Sequence, residues 1–334
     1  MELAAPTLAQ VSGGAASMTS VVRPVVALTG ATGFIGRRLA PLLAAAGWRV
    51  RLLLRRDPVC AEWRDLDAQI VAGDLGDVSA LRQLVTGVTA VVHVAGAIKA
   101  ARRAAYYAIN ERGSIAVAQA VQQQAPQARL LHVSTMAARE PQLSDYAASK
   151  RAGEDAVLSL LGERATVLRP PAVYGPGDRE TLVFFQMAQK RLVPLVGRAD
   201  ARAAMIHVDD LTAVLVALLG EQSHGAVLTA ADGRPEGYSW REVFQTAARS
   251  VGNPGARLFQ APAPLLRGIA VAGDLGRLFG SANMLNSQKL RELRHRDWSV
   301  AAADWAQPAG WVPRYSLAAG FAQTVAWYRR AGWL

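Results

Sequence analysis

An α/β fold, a doubly wound parallel sheet followed by a smaller C-terminal unit, is the architecture this 334-residue sequence predicts. Three observations predict it. A short apolar strand, Val25 to Thr29, runs into a turn punctuated by Gly30, Gly33 and Gly36 and then into a helix from Arg37 to Ala46. Strand-like and helix-like segments then alternate as far as Val173, the order that produces a parallel sheet wrapped on both faces. Beyond that point the alternation gives way to apolar, proline-bearing and tryptophan-bearing segments, and a chain with 51% hydrophobic residues can bury a main core and a smaller companion.

The glycine turn is the first element with a chemical meaning. Gly30 permits the tight bend, Gly33 lets backbone N–H groups approach a pyrophosphate, and Gly36 lets the helix lie close to the strand. The helix N-terminus then faces the phosphates with its partial positive charge. A second strand, Arg49 to Leu54, follows Gly47 and completes the Rossmann context for a dinucleotide, whose turn also includes Thr32, Phe34 and Ile35. A site for NAD usually ends this second strand with a carboxylate, whereas a 2′-phosphate calls for arginine. Here Leu54-Arg55-Arg56 ends it, and Asp57 stands beyond, beside Pro58. NADP is therefore the expected cofactor and NAD the alternative. Arg55 is the first choice for the phosphate, with Arg37 or Arg56 assisting, because a guanidinium meets phosphate in a planar fork.

Further along, Leu130 to Thr135 reads as a buried strand ending in two hydroxyls, and Tyr146-Ala147-Ala148-Ser149-Lys150 puts a phenol and an ammonium on one helix face. Glycine turn, strand-end hydroxyl and Tyr-x-x-x-Lys together resemble the short-chain dehydrogenase/reductase family, and the Gly30, Gly33, Gly36 spacing resembles its extended branch. Other runs are similar to that branch. Ala72-Gly73-Asp74-Leu75 would border the adenine, and Ala95 and Gly96, closing the strand that starts at Val91, would make backbone contacts to the cofactor. Asn110, in Ile109-Asn110-Glu111-Arg112-Gly113-Ser114, would support a water-linked proton path. Arg169-Pro170-Pro171-Ala172-Val173-Tyr174-Gly175-Pro176 resembles the branch's signature run, with Pro170 and the backbone near Val173 at the nicotinamide carboxamide.

The chemistry the resemblance implies is hydride transfer. Tyr146 is the expected general acid and base, Thr135 holds the reacting oxygen, and Lys150 holds the ribose and relays protons. A free phenol titrates near 10, so Lys150 and an oxidised nicotinamide are expected to pull the Tyr146 pKa down. His93, inside an apolar run, reads as a packed strand histidine. His207 and Asp209, in Met205-Ile206-His207-Val208-Asp209-Asp210, read as a turn into a helix; no metal is expected, because the pair lacks a ligand set.

Departures from the branch narrow the reaction. Sugar-nucleotide dehydratases follow the strand-end threonine with Asp-Glu, where this chain has Met136-Ala137. The loop that helps epimerases recognise a sugar is missing between Thr135 and Tyr146, and the arginine they carry before the Ile-His-Val run is replaced by Ala203. An alcohol/ketone oxidoreductase acting on an apolar or aromatic small molecule is the resulting expectation, similar to the 3-beta-hydroxysteroid dehydrogenase and dihydroflavonol-reductase-like members, whose second strand also has the form of Val50-Arg51-Leu52-Leu53-Leu54-Arg55. A nucleotide-sugar epimerase or dehydratase is the alternative. A non-catalytic NADP-binding regulator is a further one, although the chain keeps Tyr146, Lys150, Thr135 and Asn110.

The expected organisation is a flexible leader at 1–23, with Met18 as an alternative start, then a dinucleotide-binding Rossmann domain at 24–178. A substrate-domain insertion at 179–204, a return to the Rossmann domain at 205–230 and a small substrate-binding domain at 231–334 complete it. An amphipathic helix or lid is expected from Leu265 to Phe279, interrupted by Arg267, Asp274 and Arg277, and a last helix from Ser316 to Arg330. Trp298, Trp305, Trp311, Trp327 and Trp333 are assigned to packing. The formal charge of +11 comes from scattered arginines without a lysine-rich run or aromatic basic platform, so no nucleic-acid partner is expected. No apolar run reaches the roughly twenty residues of a membrane span. A single cysteine, Cys60, leaves no disulfide framework and fits a cytoplasmic protein. The resemblance also implies a homodimer through the helices around Arg102–Gln124 and Tyr146–Leu161.

Overall fold

The computed structural model describes residues 23–56, 63, 66–221, 225–278 and 285–334. Apart from Arg23, the leader with Met18 lies outside the described residues, as do Asp57, Pro58, Cys60 and Phe279. The chain runs β1 (Val25–Thr29), α1 (Gly36–Ala45), β2 (Arg49–Leu54), β3 (Ala68–Ala72), α2 (Val78–Val85), β4 (Ala90–His93), α3 (Arg103–Tyr107), α4 (Gly113–Gln124), β5 (Arg129–Val133), α5 (Asp145–Leu161), β6 (Ala165–Arg169) and β7 (Ala172–Tyr174). It continues with α6 (Leu182–Ala188), β8 (Leu192–Leu195), β9 (Arg202–Ala203), β10 (Met205–His207), α7 (Val208–Gly220), β11 (Val227–Thr229), β12 (Tyr238–Ser239), α8 (Trp240–Ser250), β13 (Arg257–Gln260), α9 (Ala263–Leu278), α10 (Ser287–Arg294), β14 (Asp297–Trp298) and α11 (Leu317–Arg330).

Among the described residues, seven parallel strands form one sheet in the order β3-β2-β1-β4-β5-β6-β11, the Rossmann arrangement. Both faces are covered, which is why its strands read as nearly continuous apolar runs. On one face Leu39 and Leu43 of α1 meet Leu211 and Leu215 of α7; on the other Leu81, Leu84, Val117, Val121 and Val157 come from α2, α4 and α5. Strand order reverses between β1 and β4, so the crevice at their C-terminal ends is where such a sheet takes ligands.

A second core lies outside the sheet. Phe185, Trp240, Phe244, Phe321 and Tyr328 form one buried cluster with Tyr174, whose strand β7 pairs with β10. A Cβ added at Gly320 would lie 2.4 Å from the Tyr174 hydroxyl, so only glycine lets α11 sit directly on that ring. Long-range bonds fasten this layer: the Tyr328 hydroxyl donates to the Asp178 carbonyl at 2.6 Å, and the Asp210 carboxylate accepts from the backbone N–H groups of Arg314 and Tyr315, both at 3.0 Å.

The segment expected to be helical around Arg102–Gln124 is helical from Arg103 to Gln124 but not α-helical throughout. Between α3 and α4 the residues Ala108–Arg112 wind as a π-helical turn, with Asn110 at its middle. Such turns cluster at functional sites because the extra residue re-aims one side chain. The segment expected to be helical from Leu265 is helical as far as it is described, to Leu278, and α9 begins two residues earlier. No described helix is long and apolar enough to cross a membrane.

Candidate active site

The phosphate end is built from backbone. Gly30 has φ +75°, and a Cβ there would lie 2.5 Å from the Ala95 nitrogen, so the β1 turn and the end of β4 touch main chain to main chain. A Cβ at Gly36 would lie 2.2 Å from the Gly30 carbonyl oxygen, which fixes α1 against the turn. Gly33 donates to the Gly30 carbonyl at 3.0 Å, and no side chain caps the N-terminus of α1. Thr32 is exposed, Phe34 and Ile35 are half-buried, and the Ala95 N–H donates to the Thr29 hydroxyl at 3.3 Å. A glycine-lined turn leading into a helix N-terminus without a side-chain cap, beside the end of β4, fits a dinucleotide pyrophosphate.

At the end of β2, Arg55 and Arg56 are exposed, and neither makes an ion pair with a described residue. Arg37, the third arginine expected to assist, folds back so that its Nε donates to the Thr32 carbonyl at 2.9 Å. Asp74 closes its own turn, accepting from the Gly76 N–H at 2.8 Å, while Leu75 packs against Gly113, where a Cβ would meet its Cδ1 at 2.7 Å. These two residues are thus at least structural.

The catalytic end is built from side chains on four elements. β5 stops at Val133, so both hydroxyls lie just past the strand end and not within it. Thr135 opens a short 3-10 turn and accepts from Ala137 N–H at 3.3 Å; Ser134 is buried with a hydroxyl that has no partner among the described residues. Ser144 caps α5, accepting from Ala147 N–H at 3.0 Å, which puts Tyr146 in the first turn and Lys150 one turn deeper. Lys150 is 4% exposed and donates to the Val133 carbonyl at 2.8 Å. Burial pulls its pKa down to about 8 against the opposing pull of Glu154. Asn110 is fully buried: its Oδ1 accepts from Ala97 N–H at 2.7 Å, and its Nδ2 donates to the Ser149 hydroxyl at 2.9 Å. Gly96 faces this group, since a Cβ there would lie 3.2 Å from Asn110 Oδ1 and 3.6 Å from Lys150 Nζ. Thr135, Tyr146, Lys150, Asn110 and Gly96 therefore converge. Pro170 closes the floor, its carbonyl accepting from Met136 N–H at 2.8 Å, and Val173 is half-buried in β7 beside Ile206.

The electrostatics differ from the expectation in one respect. Burial pushes the Tyr146 phenol up to about 12; the Thr135 hydroxyl pulls it down, and Glu292 and Tyr106 raise it further. Lys150 is not among the groups that shift it; its ammonium donates to the Val133 carbonyl. From the protein groups alone Tyr146 is a protonated phenol, a donor.

His93 is a packed histidine, fully buried, 2.6 Å from the Thr29 hydroxyl and 3.1 Å from that of Ser114. It stacks on the equally buried His132 at 5.2 Å. His207 caps α7, its Nδ1 accepting from the Asp209 N–H at 3.2 Å, while Asp209 pairs with Arg38 at 3.0 Å.

Four residues at this site escaped the sequence reading. Glu154, one turn after Lys150, is buried and accepts from Arg169, whose Nε donates at 3.0 Å and Nη2 at 2.5 Å. Its place one turn after Lys150 was the available signal. Gly153 lets α5 press on the π turn, for a Cβ there would lie 2.2 Å from the Asn110 carbonyl oxygen. Ser144, directly before Asp145, had the ordinary signature of a helix cap. Its hydroxyl donates to Glu292 of α10, and no local signal marks that partner 148 residues away.

Residues 26–230 match the NAD dependent epimerase/dehydratase family. The chain is 46% identical over 321 residues to the ceramide reductase of Caulobacter vibrioides (strain NA1000 / CB15N), covering 95% of this chain and 98% of that protein. In fold it is similar to the crystal structure of gox2253, with a TM-score of 0.73 and 21% identity over 94% of this chain and 100% of that one. It is also similar to DesIV, a dTDP-glucose 4,6-dehydratase from Streptomyces venezuelae with NAD and TYD bound, with a TM-score of 0.70 and 22% identity over 92% and 98% of the two chains. Match and site together identify the chain as a member of the NAD-dependent epimerase/dehydratase family, in the extended branch of the short-chain dehydrogenases/reductases, and an NAD(P)-dependent enzyme.

Proposed function

We propose that this enzyme is an NADPH-dependent ketone reductase whose substrate is a ceramide-type lipid, with Tyr146 as the proton donor. The observation that carries the reading is the convergence of Thr135, Tyr146 and Lys150 at a strand end that continues Met136-Ala137, without a carboxylate pair to eliminate water. The similarity to a ceramide reductase over 95% of the chain supports the lipid class.

A bound reduced nicotinamide would supply the hydride that this mechanism delivers to the carbonyl carbon. Tyr146 gives its proton to the carbonyl oxygen, and the Thr135 hydroxyl, already on the Tyr146 side chain, orients that oxygen. Lys150 would hold the nicotinamide ribose, and Asn110, bonded to Ser149, supports the path by which Tyr146 is reprotonated. Gly30, Thr32, Gly33, Phe34, Ile35 and Gly36 would cradle the pyrophosphate, Asp74 and Leu75 would border the adenine, and Ala95, Gly96, Pro170 and Val173 would line the ring. Arg55 and Arg56 would take the 2′-phosphate. The reading includes a homodimer through α4 and α5 and the cytoplasm, where NADPH is kept reduced.

The test is oxidation of NADPH and of NADH with a short-chain ceramide carrying a ketone, a nucleotide sugar as control and Tyr146→Phe alongside. The expected result is consumption of NADPH with the lipid ketone alone and a loss of about 10²-fold or more in Tyr146→Phe with NADPH affinity kept. Undiminished turnover by Tyr146→Phe, or turnover of the nucleotide sugar alone, would sink the reading.

A further inference from the structure

Helix α9 turns the usual pattern inside out. Leu266, Ala270 and Gly273 are buried, the first two against Leu290 of α10, yet the outward face is also apolar. Leu265, Ile269 and Leu275 lie on it with Ala272 between them, and Val271 stands at its border; the four larger side chains are 45 to 58% exposed. A helix apolar on both faces needs a second partner, and a contiguous exposed patch of this kind marks one.

The surroundings say which partner. Arg267 stands at the border of α9, and Arg291 and Arg294 stand on the adjoining α10, all exposed and none in an ion pair with a described residue. The nearby Asp274 is occupied by the Ser287 N–H at 3.2 Å. These arginines line a groove of about 700 Å³ whose remaining wall includes Val271, Leu290 and Leu143. Leu143 ends the 3-10 turn before Ser144, and Arg291 Nε donates to its carbonyl at 2.9 Å, so the groove runs along the start of the catalytic helix.

We infer that the α9–α10 face docks the enzyme on an anionic lipid bilayer, with Leu265, Ile269 and Leu275 inserted among the acyl chains and Arg267, Arg291 and Arg294 at the headgroup phosphates. Apolar insertion framed by guanidinium groups is how an interfacial helix binds, lying on the membrane and not across it. The chain's formal charge of +11 favours the same surface. A bilayer-resident substrate then reaches the Tyr146 crevice along the groove. This last step rests on the lipid reductase reading; the docking itself does not.

The experiment is flotation of the full-length enzyme with phosphatidylglycerol/phosphatidylcholine vesicles and with phosphatidylcholine vesicles, without substrate. Binding to the anionic vesicles, weakened by salt, is expected. Leu265→Asp with Leu275→Asp, and separately Arg267→Glu with Arg294→Glu, should each lower it by about tenfold or more. Both variants should keep wild-type melting temperatures and wild-type turnover of a short-chain ketone that needs no membrane. Absence of vesicle binding, equal binding to both compositions, or a doubled mass in light scattering that the leucine variant returns to one copy would overturn the docking. A failed ketone assay with intact vesicle binding would instead remove the reductase reading and leave the surface standing.

Discussion

The glycine-turn end and the Tyr146 end of this crevice are built by opposite means. At the first, Gly30, Gly33 and Gly36 sit within one short turn and act through main-chain space. At the second, the start of α5 is fastened by partners far along the chain: Ser144 to Glu292, and the Asp145 N–H to Gln288 Oε1 at 2.9 Å, across 143 residues. A local motif that lacks side chains tolerates almost no addition, whereas a site assembled from distant side chains can lose one and keep its fold. Five substitutions test this contrast and the buried groups beneath it.

Gly36→Ala comes first, because the new Cβ would lie 2.2 Å from the Gly30 oxygen and 2.6 Å from Ala31 Cα, neither of which can swing aside. NADPH affinity, measured by fluorescence titration, should fall about 10²-fold as the turn and α1 move apart. Wild-type affinity would remove the backbone account.

Glu154→Ala comes next, since it leaves the Arg169 guanidinium, 16% exposed, without its carboxylate. Urea unfolding should register a loss of about 3–5 kcal/mol, and Glu154→Leu with Arg169→Met should regain most of it.

The His93–His132 stack predicts the response to acid. Burial drives both pKa values down, His93 to about 3 and His132 well below its usual value, with Lys150 adding to each. Both stay neutral in the folded state while the unfolded chain takes up protons near 6.5. Their contribution to stability is therefore complete above pH 6.5 and lost as pH falls toward 3, each at up to about 1.4 kcal/mol per pH unit. His132→Leu should flatten the acid limb of a stability–pH curve by that slope, and an unchanged limb would assign the loss elsewhere.

Arg55→Glu touches the rim of the phosphate end. It should raise KM for NADPH about tenfold or more while leaving KM for NADH close to its starting value; equal effects on both would return Arg55 to the role of a solvated strand-end residue.

Glu292→Gln is the mildest change, keeping the shape of the Ser144 partner while removing a charge that raises the Tyr146 pKa. The fold should survive and kcat should change only a few-fold. In the proposed reaction, the alkaline limb of the reductase profile, set by loss of the Tyr146 proton, should move to lower pH. An unmoved limb would show that Glu292 acts on α5 through packing alone.

How much of this was legible in advance follows the same division. The strand, turn and helix of residues 25–45 were readable because glycine spacing and apolar runs are local properties of the chain. Strand β2 was read to its observed ends for the same reason. Tyr146 and Lys150 were readable as neighbours on one face because helical spacing alone puts them there. The π turn at Asn110 was not, since its helix-forming sequence Ala108–Arg112 carries no local mark of an extra residue, and the turn is stabilised by Asn110 reaching Ala97 and Ser149. Nor was the upward shift of Tyr146, which depends on burial and on a carboxylate from α10.

The sequence by itself determined the α/β order, the glycine turn and the residue types that stand at the strand ends, because each depends on contacts made within a few residues. Only the tertiary structure decided which hydroxyl, amide and carboxylate surround Tyr146, and which faces of α9 remain outside. Those depend on where residues more than a hundred positions apart come to rest, and on water being excluded once they do.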